Sequence, residues 1–219
     1  MSAAYLSLLL ADGRLPSGAH TQSAGVEPAL TAGMPLAAVP DYVRVRLRTV
    51  TEVEASTAVL AGRVHRARGG SAALAEVDAA WRVRTLSDAL RAASDLLGRS
   101  LLRTASAVWD LRELAEGGPW CRPVVLGATA AAAGLDAGQT ARLVGYDDVQ
   151  TVVSAALKLE PFDPSTGVRW VAGAADEVEA MVARVVPVAR TADIPAHGAP
   201  LVEEWGQRHR TRERRLFRA

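Results

Sequence analysis

Apolar residues return every three or four positions along most of this chain, and the every-second-residue alternation of a half-buried strand is almost absent. From Asp41 to Arg66 the stripe is Val43, Leu47, Val50, Val53, Thr57, Leu60 and Val64, the period of one long amphipathic helix. A second runs from Leu86 to Ala115 through Leu90, Ala93, Leu97, Leu101, Ala105, Val108 and Leu111, and Gly117-Gly118-Pro119 stops it. These two form the expected spine. Shorter helices fit Ala3–Ala11, Ser71–Val83, Pro123–Ala133 closed by Gly134, Ala137–Val144 closed by Gly145, and Asp147–Leu159 stopped by Pro161. Asp163 and Pro164 read as an N-cap and the first helical residue of a further helix, with Trp170, Ala174, Val178, Met181 and Val185 as its buried stripe. After Pro187 the regularity fades, and Pro187, Pro195 and Pro200 mark an extended linker. The expectation is one all-α, bundle-like domain of about eight helices over residues 1–186, then a linker and an extended basic, partner-binding C-terminal tail over 187–219.

Composition narrows the function classes. At 219 residues and 49% hydrophobic content the chain can bury a sizeable core. The formal net charge is only +1, so no global field draws in nucleic acid or an acidic membrane, and neither is an expected partner. One cysteine, Cys121, excludes an internal disulfide. Without a signal peptide or a long apolar run, the expected address is the cytoplasm. His20, His65, His197 and His209 show no metal-ligand spacing, and no nucleophile elbow, phosphate-binding glycine loop or dinucleotide fingerprint occurs. Asp147 with Asp148, and Asp88 with Asp95, read as solvated helix surface. His65, flanked by Arg63, Arg66 and Arg68, reads as a cation favoured at a helix C-terminus. No enzymatic activity, resident cofactor or metal is expected.

The carboxyl end is unusual. Six arginines lie between Trp205 and Ala219, and they enclose an apolar pair, Leu216 and Phe217. A tail of this kind is expected not to bury two large side chains against itself and to order on a partner's surface. Trp205 is a partner-contact candidate, whereas Trp81, Trp109, Trp120 and Trp170 read as core or interface anchors. Lys158, the sole lysine, reads as a surface residue near a helix end. Near the other end, Leu10–Glu27 stops a helix in a Pro-Ser-Gly loop of small polar residues and starts another. Pro16, Gly18 and Gly25 either shape a tight connection or present a partner or dimer surface, and Glu27 either contributes there or complements its helix dipole.

Three segments carry a resemblance. Asp12, Leu15, Pro16, Gly18, Ser23, Gly25 and Glu27 match the N-terminal signature of the UreF family of urease accessory proteins. The segment from Val152 to Pro161 resembles that family's Ser-Ala-Ala-x-(Lys/Arg)-Leu-x-Pro block, and His209 to Ala219 fits its ending through Arg215, Leu216, Phe217 and Arg218. The chain departs from the pattern at His20 and Gln22, where the family often carries an aromatic and then a His or Tyr. It departs again after Pro161, where Phe162-Asp163-Pro164 replaces Leu-Gly-Gln. The resemblance implies an all-helical, homodimeric, non-enzymatic adaptor. Such a protein binds a UreD/UreH-type partner, recruits the GTPase UreG and so serves nickel insertion into apo-urease. Alternatives are a nickel carrier with its own metal site, or a regulator of the GTPase's hydrolysis. By the same resemblance, partner contact is expected at His209, Arg215, Leu216, Phe217 and Arg218 and at Pro16, Gly18, His20, Ser23 and Glu27, with Leu216 and Phe217 as anchors in a partner pocket.

Overall fold

The computed structural model describes residues 2–209 and 216–217. Among these, the regular structure consists of twelve α-helices and three short 3-10 turns, with no strand. The first six helices are α1 (Ala3–Ala11), α2 (Val26–Thr31), α3 (Val39–Leu47), α4 (Val50–Arg66), α5 (Gly70–Arg82) and α6 (Asp88–Ala105). They are followed by α7 (Arg112–Ala115), α8 (Arg122–Ala132), α9 (Ala137–Leu159), α10 (Pro164–Gly173), α11 (Ala175–Val185) and α12 (Pro200–His209).

Helix α4 is the centre. Its residues from Ala55 to Gly62 are all buried, so it is wrapped on every side rather than along one stripe. It lies against α5, α8 and α9, and α6 covers the far side of α8. Small residues set the α4–α8 distance: a Cβ on Gly127 would fall 2.0 Å from the Ala58 carbonyl oxygen. Buried hydroxyls in this dry layer bond back to their own helices, Thr57 to Val53 O and Thr129 to Val125 O. Trp81, Leu74, Leu101, Leu114, Leu135 and Met181 fill the remaining core.

Several expected boundaries shift for identifiable reasons. The helix predicted over 41–66 breaks at Arg48–Thr49 into α3 and α4. On the α3 side of the break Arg46 reaches Asp148 on α9, and Arg48 reaches Glu177 on α11. The helix predicted over 86–115 ends at Ala105, and the separate short helix α7 follows, with the Asp110 carboxylate accepting from Arg112 N at its start. The stop expected at Gly145 is absent. That glycine lies within the 23-residue α9, and a Cβ there would come 3.0 Å from Met181 and Val178, so it serves the close approach of α11. Asp163 caps α10 as expected, accepting from Ser165 N at 2.9 Å, but the predicted single helix divides at Ala174.

The extended C-terminal segment is also corrected. Val188, Ile194, Ala199 and Val202 are buried, and Arg84 fastens the stretch by donating to the Ile194 and Thr191 carbonyls. Helix α12 then lies across α2 and α6. Its Glu203 carboxylate accepts from the backbone of Leu86 and Ser87, and its Gln207 carbonyl accepts from Ala89 N, so one helix closes the open amino end of another.

Candidate functional site

The first loop is held at three points. Pro16 O accepts from Thr104 Oγ1 at 2.8 Å, which ties the loop to α6. Gly18 takes a left-handed conformation, φ +82°, and its carbonyl accepts from Thr21 Oγ1, forming the 3-10 turn Ala19–Thr21 that contains His20. Tyr42 Oη then donates to Ala24 O at 2.8 Å, just before Gly25 at φ +77°. A Cβ on Gly25 would sit 2.7 Å from that Tyr42 oxygen, so both the dihedral and the space require glycine. The result is a fixed path that delivers buried Ser23 and Glu27 to the same spot.

Glu27 is the junction between this loop and the carboxyl end. One carboxylate oxygen accepts from Leu216 N at 2.7 Å, and the other accepts from Phe217 N at 2.9 Å. Consecutive amides aimed at one carboxylate make charge-assisted hydrogen bonds, stronger than neutral pairs. His209, 1% exposed, places Nε2 3.1 Å from Phe217 O and 3.2 Å from the second Glu27 oxygen. Both neighbours are acceptors, so Nε2 carries the proton and donates, while buried Nδ1 has no partner. Lys158 Nζ stands 5.6 Å from the centre of the Phe217 ring, within cation–π range.

This arrangement corrects the expectation that the tail cannot bury its apolar pair on its own chain. Phe217 is 5% exposed and lies in the core of its own domain, because Glu27, His209 and Lys158 supply the polar partners that a docked tail needs. Leu216 remains 63% exposed. Of the other expected contact residues, Pro16, Gly18, Ser23 and His20 lie on the same loop, and Arg215 and Arg218 fall outside the described residues. Trp205 is not free of the core either: its ring tilts against Tyr42 at 6.3 Å between centroids.

A second polar region was illegible in the sequence. Asp148, expected on a solvated surface, is buried with Arg46, whose Nε donates to it at 3.0 Å, and accepts from Thr51 Oγ1 at 2.8 Å. Asp147 pairs with Arg122 at 2.8 Å. These pairs and Glu54 line a partly open cavity that also meets Gln22 of the first loop and His197. Glu54 is pushed up to about 7, chiefly by burial and then by Asp148, against the opposing pull of Arg46 and Arg122. Elsewhere, His65 in the last turn of α4 bonds through Nδ1 to Glu113 on α7, and Cys121 is buried, with burial and neighbouring Asp78 holding its thiol pKa well above the ordinary range. Among the described residues, no three His, Cys, Asp or Glu side chains converge as a metal site, and no helix is long and apolar enough to cross a membrane.

The loop, the Lys158 segment and the carboxyl end therefore meet at one place. The UreF family model matches residues 36–175, well over half of the chain. The urease accessory protein UreF of Mycobacterium sp. (strain JLS) is 38% identical over 216 residues, covering 96% of both chains. The chain belongs to the UreF family. UreF proteins of Mycolicibacterium vanbaalenii and Mycobacterium tuberculosis are 36% and 35% identical, each aligned over 99% of both chains. The family-model match begins after the first loop and ends before α12, whereas these UreF alignments span both. Membership marks the chain as a urease accessory protein and accounts for the three resembling segments. The Glu27 junction comes from the structure alone.

Proposed function

We propose that this protein is a non-enzymatic adaptor that joins a UreD/UreH-type accessory protein to the GTPase UreG, so that nickel is inserted into apo-urease in the cytoplasm, and that it works as a homodimer. The observation that carries this reading is the Glu27 junction. It fastens the carboxyl end to the first loop, and makes one composite surface from two of the three chain regions that carry the family resemblance. Phe217 acts in this surface as an internal peg. Leu216, left outward beside it, is the apolar contact offered to a partner, with Arg215 and Arg218 flanking it in sequence.

The test is co-purification with the UreD/UreH-type protein, followed by addition of UreG and GTP. Three forms are compared: the full chain, Leu216→Asp, and a chain ending at His209. The adaptor reading expects the full chain to assemble and then capture UreG. It also expects Leu216→Asp to weaken assembly by about tenfold or more, on the order of 1.5 kcal/mol for one apolar side chain. Failure of the full chain to bind the UreD/UreH-type protein would sink the reading. Equal assembly by all three forms would remove the carboxyl end from it.

A further inference from the structure

Among the described residues, helix α6 carries a basic face beside the first loop whose arginines hold no acid. Leu96, Arg99, Ser100 and Arg103, spaced i, i+3, i+4 and i+7, lie along one side of it and line a groove closed on its other side by Gly18, Thr21 and Gln22. Among the described residues, no carboxylate lines this groove. Both arginines are exposed, and Leu96 is 43% exposed. Elsewhere this protein pairs its arginines with unusual thoroughness: Arg46, Arg48, Arg82, Arg122, Arg142 and Arg184 each hold an acid. Among the described residues, Arg68, Arg99 and Arg103 are the arginines whose side chains make no hydrogen bond or ion pair, and the last two are one helical turn apart. Like charges at that spacing disfavour the helix, and among the described residues no acid forms an ion pair with either arginine. The groove walls are fixed, since Thr104 bonds to Pro16 O and a Cβ on Gly18 would already touch Ser100 Oγ at 3.4 Å.

We propose that this groove docks an acidic segment of a protein partner, with carboxylates on Arg99 and Arg103 and an apolar side chain over Leu96. Charge complementarity selects the acidic partner, and the exposed leucine beside the guanidiniums selects a protein surface over a small anion. The groove shares Gly18, Thr21 and Gln22 with the loop that leads to Glu27, so it extends the composite surface described above. The proposal rests on the adaptor reading.

The test measures binding of the full chain and of R99E/R103E, R99Q/R103Q, R99K/R103K and R68E to the UreD/UreH-type protein and to UreG, at low and raised ionic strength. Far-UV circular dichroism reports whether each variant keeps its helices. The expected result is that R99E/R103E loses about tenfold or more in affinity for one of the two proteins, and R99Q/R103Q loses less. R99K/R103K and R68E bind as the native chain does, and salt weakens the native chain more than R99E/R103E. Native affinity of R99E/R103E for both proteins overturns the proposal. So does binding of inorganic phosphate by the free chain that R99E/R103E abolishes, since the groove would then be a small-anion site. Failure of the native chain to bind either protein defeats the adaptor reading itself, and the proposal falls with it.

Discussion

Glu27 and Glu54 show how differently two buried or half-buried carboxylates can be used. Glu27 is surrounded by donors, the amides of Leu216 and Phe217 and the His209 ring, so its charge is matched where it sits. Glu54 lines the partly open cavity, and its strongest neighbours, after burial itself, are Asp148, Arg46 and Arg122, and both arginines are already engaged with aspartates. Its carboxyl therefore holds a proton up to about 7 in the folded chain against an ordinary value of 4.5. Because the folded state binds that proton more tightly than the unfolded state, this group favours folding below the ordinary value. The advantage is lost as pH rises towards the folded value, and no further change follows above it. The expected loss is up to ~3 kcal/mol. Urea unfolding of the native chain and of Glu54→Gln across that window checks it. The variant should lack this contribution and exceed the native chain in stability on the alkaline side, and parallel pH profiles would refute the assignment. The sequence singled out Glu27, through its place in the loop, but showed nothing of its donors, which lie 189 and 190 residues away. Glu54 gave no signal, since a carboxylate on a helix reads as solvated until the facing helix is known.

At the scale of elements, small residues decide how near the helices come. Gly127 and Ala58 bring α8 against the backbone of α4, and a Cβ on Gly62 would lie 3.0 Å from Gly127 O on the same contact. Gly127→Ala puts a methyl group into a carbonyl that cannot move without moving α4. We expect it to destabilise the chain by about 3 kcal/mol, at the upper end of overpacking effects. Thermal unfolding beside the open-space control Gly173→Ala measures this, and an unchanged midpoint for Gly127→Ala would mean that α8 can slide. The same logic explains why Gly145 misled as a helix stop. A glycine that ends a helix and a glycine that admits a neighbouring helix are identical in sequence, and only Val178 and Met181 across the contact distinguish them. The break between α3 and α4 was silent for a related reason. No proline or glycine marks it, and the long-range pairs of Arg46 and Arg48 accompany it.

Across the whole molecule, the chain closes on itself: its last apolar residue with a described position returns to a loop that begins about a dozen residues from its start. Ending the chain at His209 removes the Phe217 ring and strips Glu27 of both amide donors. We expect a loss of roughly 2–4 kcal/mol, the sum of one buried aromatic and a carboxylate left short of donors. Urea unfolding measures it, and Leu216→Asp should show little of this loss because Leu216 is exposed. Equal stability of the truncated and native chains would show that the junction does not hold in solution. The sequence by itself determined the all-helical class, most helix centres, the Asp163 cap and the membership of the UreF family, because helical periodicity, capping and short motifs are written in neighbouring residues. Only the tertiary structure decided that Phe217 turns inward while Leu216 stays out, that Asp148 is buried with Arg46, and that Arg99 and Arg103 are left without acids. Each of those outcomes depends on which groups from distant helices arrive at the same place, and periodicity within one segment carries no information about that.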